Sequence, residues 1–496
     1  MTIQTDDPPA GARRSVLGDG AITVAERVVS QAAQFAVFIV AARVLGPAEF
    51  GIFALVSACA ILLFRVAEFG WGPFIMAWSG DARVPQQVLS IAMICGAVFT
   101  VIGLLGSQGA AAFGIGAPTV RLMELFALWI MLATVSSAQK GIMIWQGRLK
   151  ASALCEIAAE LVGLAVSVAA LLGGLGVLSL AFGRLAYQSV HLVLSFGATR
   201  LMPATGLRGP VLRDLWVFSS QIFVSRMFVY IRLYLATFIV GGFLGAAAVG
   251  YFRAADRLVN ALSEIITVPA QLLAWKLMRA TRDSGPEDAR DARLAAELRR
   301  FLKVLVAIAA PVFLWLICMS DEVIHGLLSG EWQAAAPLVA ILAVSRLFYL
   351  GGMVTEPVLS VGGHARVLPW FTGAIFAVSL ALTLLAVQFG LYALAWAQVG
   401  IGIFVCAATF RMFRRYLGVT WRMVLRDLRG TLLPMALGTG TLLLLSHLTA
   451  GMAIPPLLAA IGFGLVALAV YALALSRCDR ALWSGVVGTF RKGNAA

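Results

Sequence analysis

Charge is scarce in this chain. Of 496 residues, only 12% are Asp, Glu, Lys or Arg, about half the ~25% usual in a soluble domain. Histidine is scarcer, at four. A soluble fold needs polar side chains to cover its core, and a disordered chain needs them to stay solvated, so both classes are excluded. The six cysteines (Cys59, Cys95, Cys155, Cys318, Cys406 and Cys478) form no CxxC pair, and most sit in apolar runs. They are expected as small hydrophobes, and neither a disulfide framework nor a zinc site follows. No GxxxxGK[ST], HExxH or GxSxG occurs, so P-loop hydrolysis, zincin chemistry and a serine-hydrolase elbow are excluded. No catalytic residue, metal ligand or cofactor is therefore expected. No helix carries arginine at the three-residue spacing of a voltage sensor. The opening MTIQTDDPPAGARR is acidic and then Pro-rich, unlike the basic and short apolar regions of a cleaved signal peptide.

Apolar residues are what the chain has. The hydrophobic set makes up 61% and mean hydropathy is +0.92. The runs are long and do not alternate, which predicts an all-α integral membrane protein rather than a barrel. Fourteen stretches are long enough to cross a bilayer. Six fall near 19–45, 50–70, 87–107, 120–143, 152–173 and 176–197. Six more fall near 214–241, 248–272, 301–319, 336–357, 368–389 and 391–411, and a last pair near 430–448 and 455–475.

The net charge of +14, from 38 Lys and Arg against 24 Asp and Glu, supports that count. With fourteen spans, one side collects Arg13, Arg14, Arg83, Arg148, Lys150, Arg200, Arg208 and Arg213. The same side then takes the segment from Lys276 to Lys303, Arg366, the cluster from Arg411 to Arg426, and Arg477, Arg480, Arg491 and Lys492. The other side holds Arg121, Arg43 at a helix end, and the acids Asp321, Glu322 and Glu331. Basic loops stay in the cytoplasm, so both termini are expected there. The positive charge reflects topology, and no nucleic-acid partner is expected.

A short repeat divides the chain. VLGPAEFGIF at 44–53 returns as FLGAAAVGYF at 243–252, with Leu45, Gly46, Ala48, Gly51 and Phe53 matching Leu244, Gly245, Ala247, Gly250 and Phe252. A weaker echo links IWQGRLKA at 144–151 to SVGGHARV at 360–367. Both copies of the first motif fall in the outer turn between the first and second spans of a six-span set. The expected organisation is a cytoplasmic tail (1–18), an N-lobe of six spans (19–197), a linker (198–213) and a C-lobe of six spans (214–411) with a cytoplasmic insertion at 277–300. A second linker (412–429), a final helix pair (430–475) and a cytoplasmic tail (476–496) complete the chain. Parallel repeats of this kind are a transporter architecture, with the substrate path between the halves.

Polar residues within the spans cluster in the first two helices of each half. Thr23, Arg27, Ser30, Gln31 and Gln34 form a stripe at helical spacing, with Glu26 beside it. Ser57, Arg65 and Glu68 share a face; so do Gln221, Ser225 and Arg232, with Arg226, Tyr230 and Thr237 on an adjacent one. Arg253, Asp256, Arg257, Asn260 and Glu264 follow a single helical stripe. Six arginines (27, 65, 226, 232, 253 and 257) facing lipid would cost ~15 kcal/mol or more. They are expected to line a cationic, water-filled cavity, although interhelical ion pairs that only fix packing would account for the same residues. Arg27, Gln31, Arg65, Arg226, Arg232, Arg253, Arg257 and Asn260 are the candidates for substrate binding. Glu26, Glu68, Asp256 and Glu264 are candidates for ion coupling. Glu124, Glu156, Glu160, Arg184, His191, Arg346 and Glu356 also lie within spans; Glu156 and Glu160, one turn apart, could relay protons.

The segment AERVVSQAAQFAVFIVAARVLGPAEFGIFALV at 25–56 resembles the opening of bacterial oligosaccharide-repeat flippases, within the multidrug/oligosaccharidyl-lipid/polysaccharide exporter superfamily. The RVLGPAEFG turn is its most specific piece; WQGRLKASAL at 145–154 and YFRAADRL at 251–258 are similar in style. The resemblance runs from about residue 18 to 475. It implies movement of a polyprenyl-pyrophosphate-linked oligosaccharide to the outer leaflet of the bacterial inner membrane, by alternating access of two lobes, for surface polysaccharide synthesis. It also implies that the six arginines hold pyrophosphate and acidic sugars, which suits the planar, always-charged guanidinium. Membrane lipids and a polysaccharide polymerase or chain-length machinery are the other partners it suggests; one chain already contains both lobes, so a monomer suffices. The alternatives are a peptidoglycan lipid-precursor flippase or a cation-coupled multidrug exporter of the same superfamily. A membrane polymerase or glycosyltransferase is the alternative of a different class, but it would need an outer loop with catalytic carboxylates.

Overall fold

In the computed structural model, residues 10–206, 209–449, 452, 454–480 and 482–483 are described, and every regular element among them is helical. Residues 1–9, Arg208 and 484–496, with Arg491 and Lys492, lie outside the described residues, as do the side chains of Arg13, Arg14, Thr23 and Ser225. The chain forms two compact units, residues 1–241 and 242–496.

The first unit contains α1 (Ala10–Val44), α2 (Pro47–Glu68), α3 (Trp71–Ala77), α4 (Val84–Ala112), α5 (Ala117–Trp145), α6 (Leu149–Leu172) and α7 (Leu178–Thr199). It also holds the first part of α8 (Gly209–Asp283). The second unit continues with α9 (Arg290–Cys318), α10 (Ser320–Leu327), α11 (Ala336–Tyr349), α12 (Thr355–Val361), α13 (Leu368–Val387) and α14 (Leu391–Leu417). It ends with α15 (Trp421–Asp427), α16 (Arg429–Leu448) and α17 (Pro456–Cys478).

Proline marks many of the starts. It stands in the first turn of α2, α4, α5, α11, α13 and α17, where its missing N–H has no helical partner to lose. Between α2 and α3, Phe69 (φ 40°) and Gly70 (φ 90°) adopt left-handed backbone and end the helix. The first motif of the repeat forms the α1–α2 turn at Leu45 and Gly46. Its second copy interrupts α8 at Gly245, whose φ of 82° and ψ of 177° belong to a region that only glycine enters without strain.

Among the described residues, twelve helical segments are long and apolar enough to cross a bilayer. The 75-residue α8 counts once among them although Gly245 breaks it, and the 22-residue α7 is not among them. Elsewhere the expected spans shift in informative ways. The 277–300 insertion is mostly helix: α8 runs to Asp283 and α9 begins at Arg290. The expected span 336–357 is α11 followed by a 3₁₀ turn at Gly352–Val354 and the short α12. The Gly351–Gly352 pair lets α11 end against α14: a Cβ on Gly352 would stand 2.8 Å from Val405.

In the first unit, α6 packs against α1 and α7, and α5 against α2, α4 and α7. Trp71, Phe74, Val88, Leu89, Ile142 and Leu215 belong to one buried cluster. Glycines set the closest approach: a Cβ on Gly183 of α7 would lie 2.9 Å from the Gly163 carbonyl and closer still to Ser167 on α6. In a membrane, such small residues let backbones approach where no hydrophobic driving force exists between helices. Residues 209–241 belong to this unit rather than to the one that begins with the repeat. They are held by the rings of Trp216 and Phe223, 4.8 and 4.9 Å from that of Phe69.

In the second unit, α11 lies against α9 and α14, and α16 and α17 pair with each other. Buried and half-buried polar bonds join these elements. The Trp315 indole donates to the Ala460 carbonyl at 2.8 Å, and the Tyr471 hydroxyl to the Ala307 carbonyl at 2.8 Å. The Arg299 guanidinium grips Asp427 with two bonds of 2.8 and 2.7 Å. Lys303 pairs with Asp479.

The outward faces are apolar. Ile94, Val98, Val101 and Leu105 form an exposed stripe on α4, the pattern of a lipid-facing helix. Phe113 and Phe389 stand exposed at the tips of the α4–α5 and α13–α14 turns, at 91% and 76%.

Candidate functional site

The first unit gathers charge around Glu68, at the end of α2. Glu68 is buried, and its carboxylate accepts from Arg65 at 2.6 Å and from the Ser137 hydroxyl of α5 at 2.8 Å. Arg226 of α8 approaches the same carboxylate at 3.5 Å. The Arg65 guanidinium also lies over the Phe64 and Tyr230 rings, 4.7 and 4.3 Å from their centroids. Two guanidiniums therefore share one carboxylate. Arg27, Gln31 and Arg232 present exposed side chains on α1 and α8.

The second unit repeats that arithmetic on different elements. Asp256 accepts from Arg346 of α11 at 3.2 Å and pairs with Arg253 at 3.6 Å. Arg346 also donates to the Asn260 amide oxygen at 2.6 Å. Again two arginines face one carboxylate, with Asn260 as a neutral acceptor. Arg257 is half-buried on the same helix, and Glu264 is exposed. The structure thus brings Arg65, Glu68 and Arg226 together, and Arg253, Asp256 and Asn260 together. Glu26 belongs elsewhere, with Lys140, Glu156 and Glu160 among the charges around it.

That second cluster in the first unit is one the residue pattern only touched. Glu156 on α6 accepts from the Tyr187 hydroxyl at 2.6 Å, and lies 3.3 Å from Lys140 Nζ and 3.2 Å from His191 Nε2. One turn on, Glu160 accepts from the Gln34 amide of α1 at 2.6 Å. Four helices therefore meet around two carboxylates. Lys140 was the missed signal: a lysine inside the apolar run 120–143 needs a partner. Arg346 gave the same kind of signal on α11. Among the described residues, no group of three His, Cys, Asp or Glu could hold a metal ion.

Comparison with known proteins places this architecture. The succinoglycan biosynthesis transport protein ExoT of Rhizobium meliloti strain 1021 is 21% identical over 332 residues. That match spans 66% of this chain and 66% of ExoT, just under two thirds of its length. Among solved structures, the lipid II flippase MurJ in an inward closed conformation superposes with a TM-score of 0.70 at 11% identity, covering 94% of this chain and 99% of MurJ. An inward-facing multidrug resistance MATE transporter of the MOP superfamily gives 0.58 at 15% identity, covering 78% of this chain and 94% of that one. A MOP superfamily transporter from Pyrococcus furiosus gives 0.50 at 13% identity, over 80% and 94% of the two chains. The polysaccharide biosynthesis protein family matches residues 40–337. That stretch is more than half of the chain and holds both carboxylates that arginines share, so the chain, with the fold of the MOP exporters, belongs to the polysaccharide biosynthesis protein family.

Proposed function

We propose that this protein flips a polyprenyl-pyrophosphate-linked oligosaccharide across the bacterial inner membrane for surface polysaccharide synthesis. The observation that carries the reading is the surplus of guanidinium in each unit. Arg65 and Arg226 share Glu68, while Arg253 and Arg346 share Asp256. Each set brings two guanidiniums to one carboxylate within a membrane-spanning region. A fixed cation there is costly unless an anion or water meets it. A pyrophosphate supplies that anion, and arginine's rigid fork suits phosphate oxygens. Arg27, Gln31, Arg232, Arg257 and Asn260 would extend the contact to the sugars. Glu26, Glu68, Asp256 and Glu264 remain the candidates for coupling to an ion gradient.

The reading includes fourteen crossings. The twelve apolar segments become fourteen when α7 is added and α8 is divided at Gly245. Both termini are then cytoplasmic, with lobes at 19–197 and 214–411, a final pair at 430–475, and alternating access between the lobes. A polymerase or chain-length apparatus would receive the product on the outer face.

The test is Arg27→Ala and Arg257→Ala, singly and together, in a strain lacking the native copy. Surface polysaccharide is measured alongside the amount of inserted protein. The double variant is expected to lose more than 90% of surface polysaccharide at normal protein level, with lipid-linked oligosaccharide trapped inside. Normal polysaccharide from the double variant would withdraw these arginines from the site.

A further inference from the structure

We propose that the second unit carries a separate site for the phosphate headgroup of an anionic bilayer phospholipid. The site is the pocket of ≈ 1350 Å³ between α9, α11, α14 and α15. Its polar wall is Arg411, Arg414, Arg415 and Arg422, with Thr420 and Trp421 at the edge. Its remaining wall is apolar and includes Leu302, Phe348, Ile403 and Phe410.

The sequence builds this site by length and spacing. At 27 residues, α14 is ~40 Å long, against a hydrocarbon core of ~30 Å. Its last two turns therefore emerge into the headgroup layer, and those turns carry Arg411, Arg414 and Arg415 at i, i+3 and i+4, on one face. Gly418, with φ 68°, then ends α14. The chain continues into α15, which supplies Arg422. Trp421, Met423 and Leu425 are exposed on that short helix, as suits residues that sit among lipid carbonyls and upper acyl chains.

Charge decides the occupant. Among the described residues, no carboxylate pairs with Arg411, Arg414, Arg415 or Arg422. The acid on α15, Asp427, is already held by the two-bond grip of Arg299. That grip also fixes α15 against α9, so the pocket wall is set before any ligand arrives. Four guanidiniums without a carboxylate partner among the described residues, two of them over neighbouring rings (Arg415 over Tyr416, Arg422 over Trp421), stand above an apolar floor and match one chemistry, a phosphate group attached to acyl chains. A basic helix end that merely complements the helix dipole and the cytoplasmic side would need no pocket and no particular lipid.

The proposal goes beyond the transport reading and does not depend on it. Its test uses the full chain in detergent and native mass spectrometry with phosphatidylglycerol or phosphatidylcholine. Wild type is expected to retain phosphatidylglycerol at least tenfold more tightly. Each arginine contributes roughly fivefold near a membrane surface, so R411Q/R414Q/R415Q/R422Q should abolish the preference. R279Q/R282Q/R290Q/R300Q, which removes as much charge from the 277–300 segment, should keep it. Where the quadruple pocket variant does not elute as wild type, R422Q alone is used, with a loss of roughly fivefold expected. A well-folded pocket variant that keeps the preference overturns the site; so does an equal loss in the control, which would mean diffuse surface charge. Displacement of phosphatidylglycerol by a polyprenyl diphosphate at far lower concentration would overturn the bilayer source and give the pocket to the transported lipid.

Discussion

Glu68 explains how two arginines persist on apolar helices. Its carboxylate is nearly inaccessible and receives three donors from three elements. The i, i+3 relation to Arg65 was legible in the sequence. The Ser137 and Arg226 contacts were not, because they lie 69 and 158 residues away in the chain. Glu68→Gln removes the charge that both guanidiniums face. Breaking a fully buried pair costs ~3–5 kcal/mol, but Arg226 is half-exposed, so a loss of about 1–3 kcal/mol is expected. A lowered unfolding midpoint in detergent checks it, and Arg226→Gln should cost less than Arg65→Gln. Glu156 makes the same point in the other cluster. Its spacing to Glu160 was visible, whereas its bonds to Tyr187 and Lys140 and its 3.2 Å approach to His191 come from two neighbouring helices. Glu156→Leu would strand a buried histidine and a lysine, and about 2–4 kcal/mol of stability should be lost. Glu156→Gln, which still accepts from Tyr187, should melt higher than Glu156→Leu; an equal or lower midpoint would deny the hydrogen-bond role.

Elements were read most accurately where local chemistry sets their ends. The RVLGPAEFG turn, read as the connection between the first two spans, is the α1–α2 turn of the structure. The misread stretch was 336–357, because hydropathy does not register that two glycines let α11 stop against α14. The interruption of α8 was legible only through the repeat, since residues 243–252 are apolar throughout apart from Tyr251 and the glycines. Two substitutions separate backbone strain from crowding. Gly245→Ala meets open space, since nothing lies within 4 Å of the added carbon. Its expected cost, ~1–3 kcal/mol, is conformational alone. Gly183→Ala instead pushes α7 from α6 through a backbone oxygen 2.9 Å away. Adding Ser167→Ala should therefore restore only part of its thermal midpoint; complete recovery would show that the serine alone was in the way.

At the scale of the whole molecule, the distribution of basic residues remains the most informative property of the sequence. It predicts which loops share a side of the membrane, and a missed crossing would invert every loop beyond it. Reporter fusions test this directly. Alkaline phosphatase should be active when joined near 114 or 330 and inactive near 285 or 418, with the opposite pattern for a cytoplasmic fluorescent protein. Active phosphatase at 285 would mean that α8 does not cross twice. The family match, over residues 40–337, could not have come from composition, which describes any polytopic transporter. It rests on the order of residues along the chain, of which the RVLGPAEFG turn was the legible fragment.

With the fourteen crossings proposed above, Phe113 in the first unit and Phe389 in the second would each finish a turn on the non-cytoplasmic side. These rings cap turns that carry little charge, while the opposite ends of many helices are finished by arginine. A long guanidinium side chain can stretch or fold to follow a headgroup layer that moves by several ångströms; a phenyl ring on a short turn cannot. Within each unit, bilayers of unequal thickness would therefore be accommodated at the arginine-bearing helix ends, with the aromatic turn as the fixed reference.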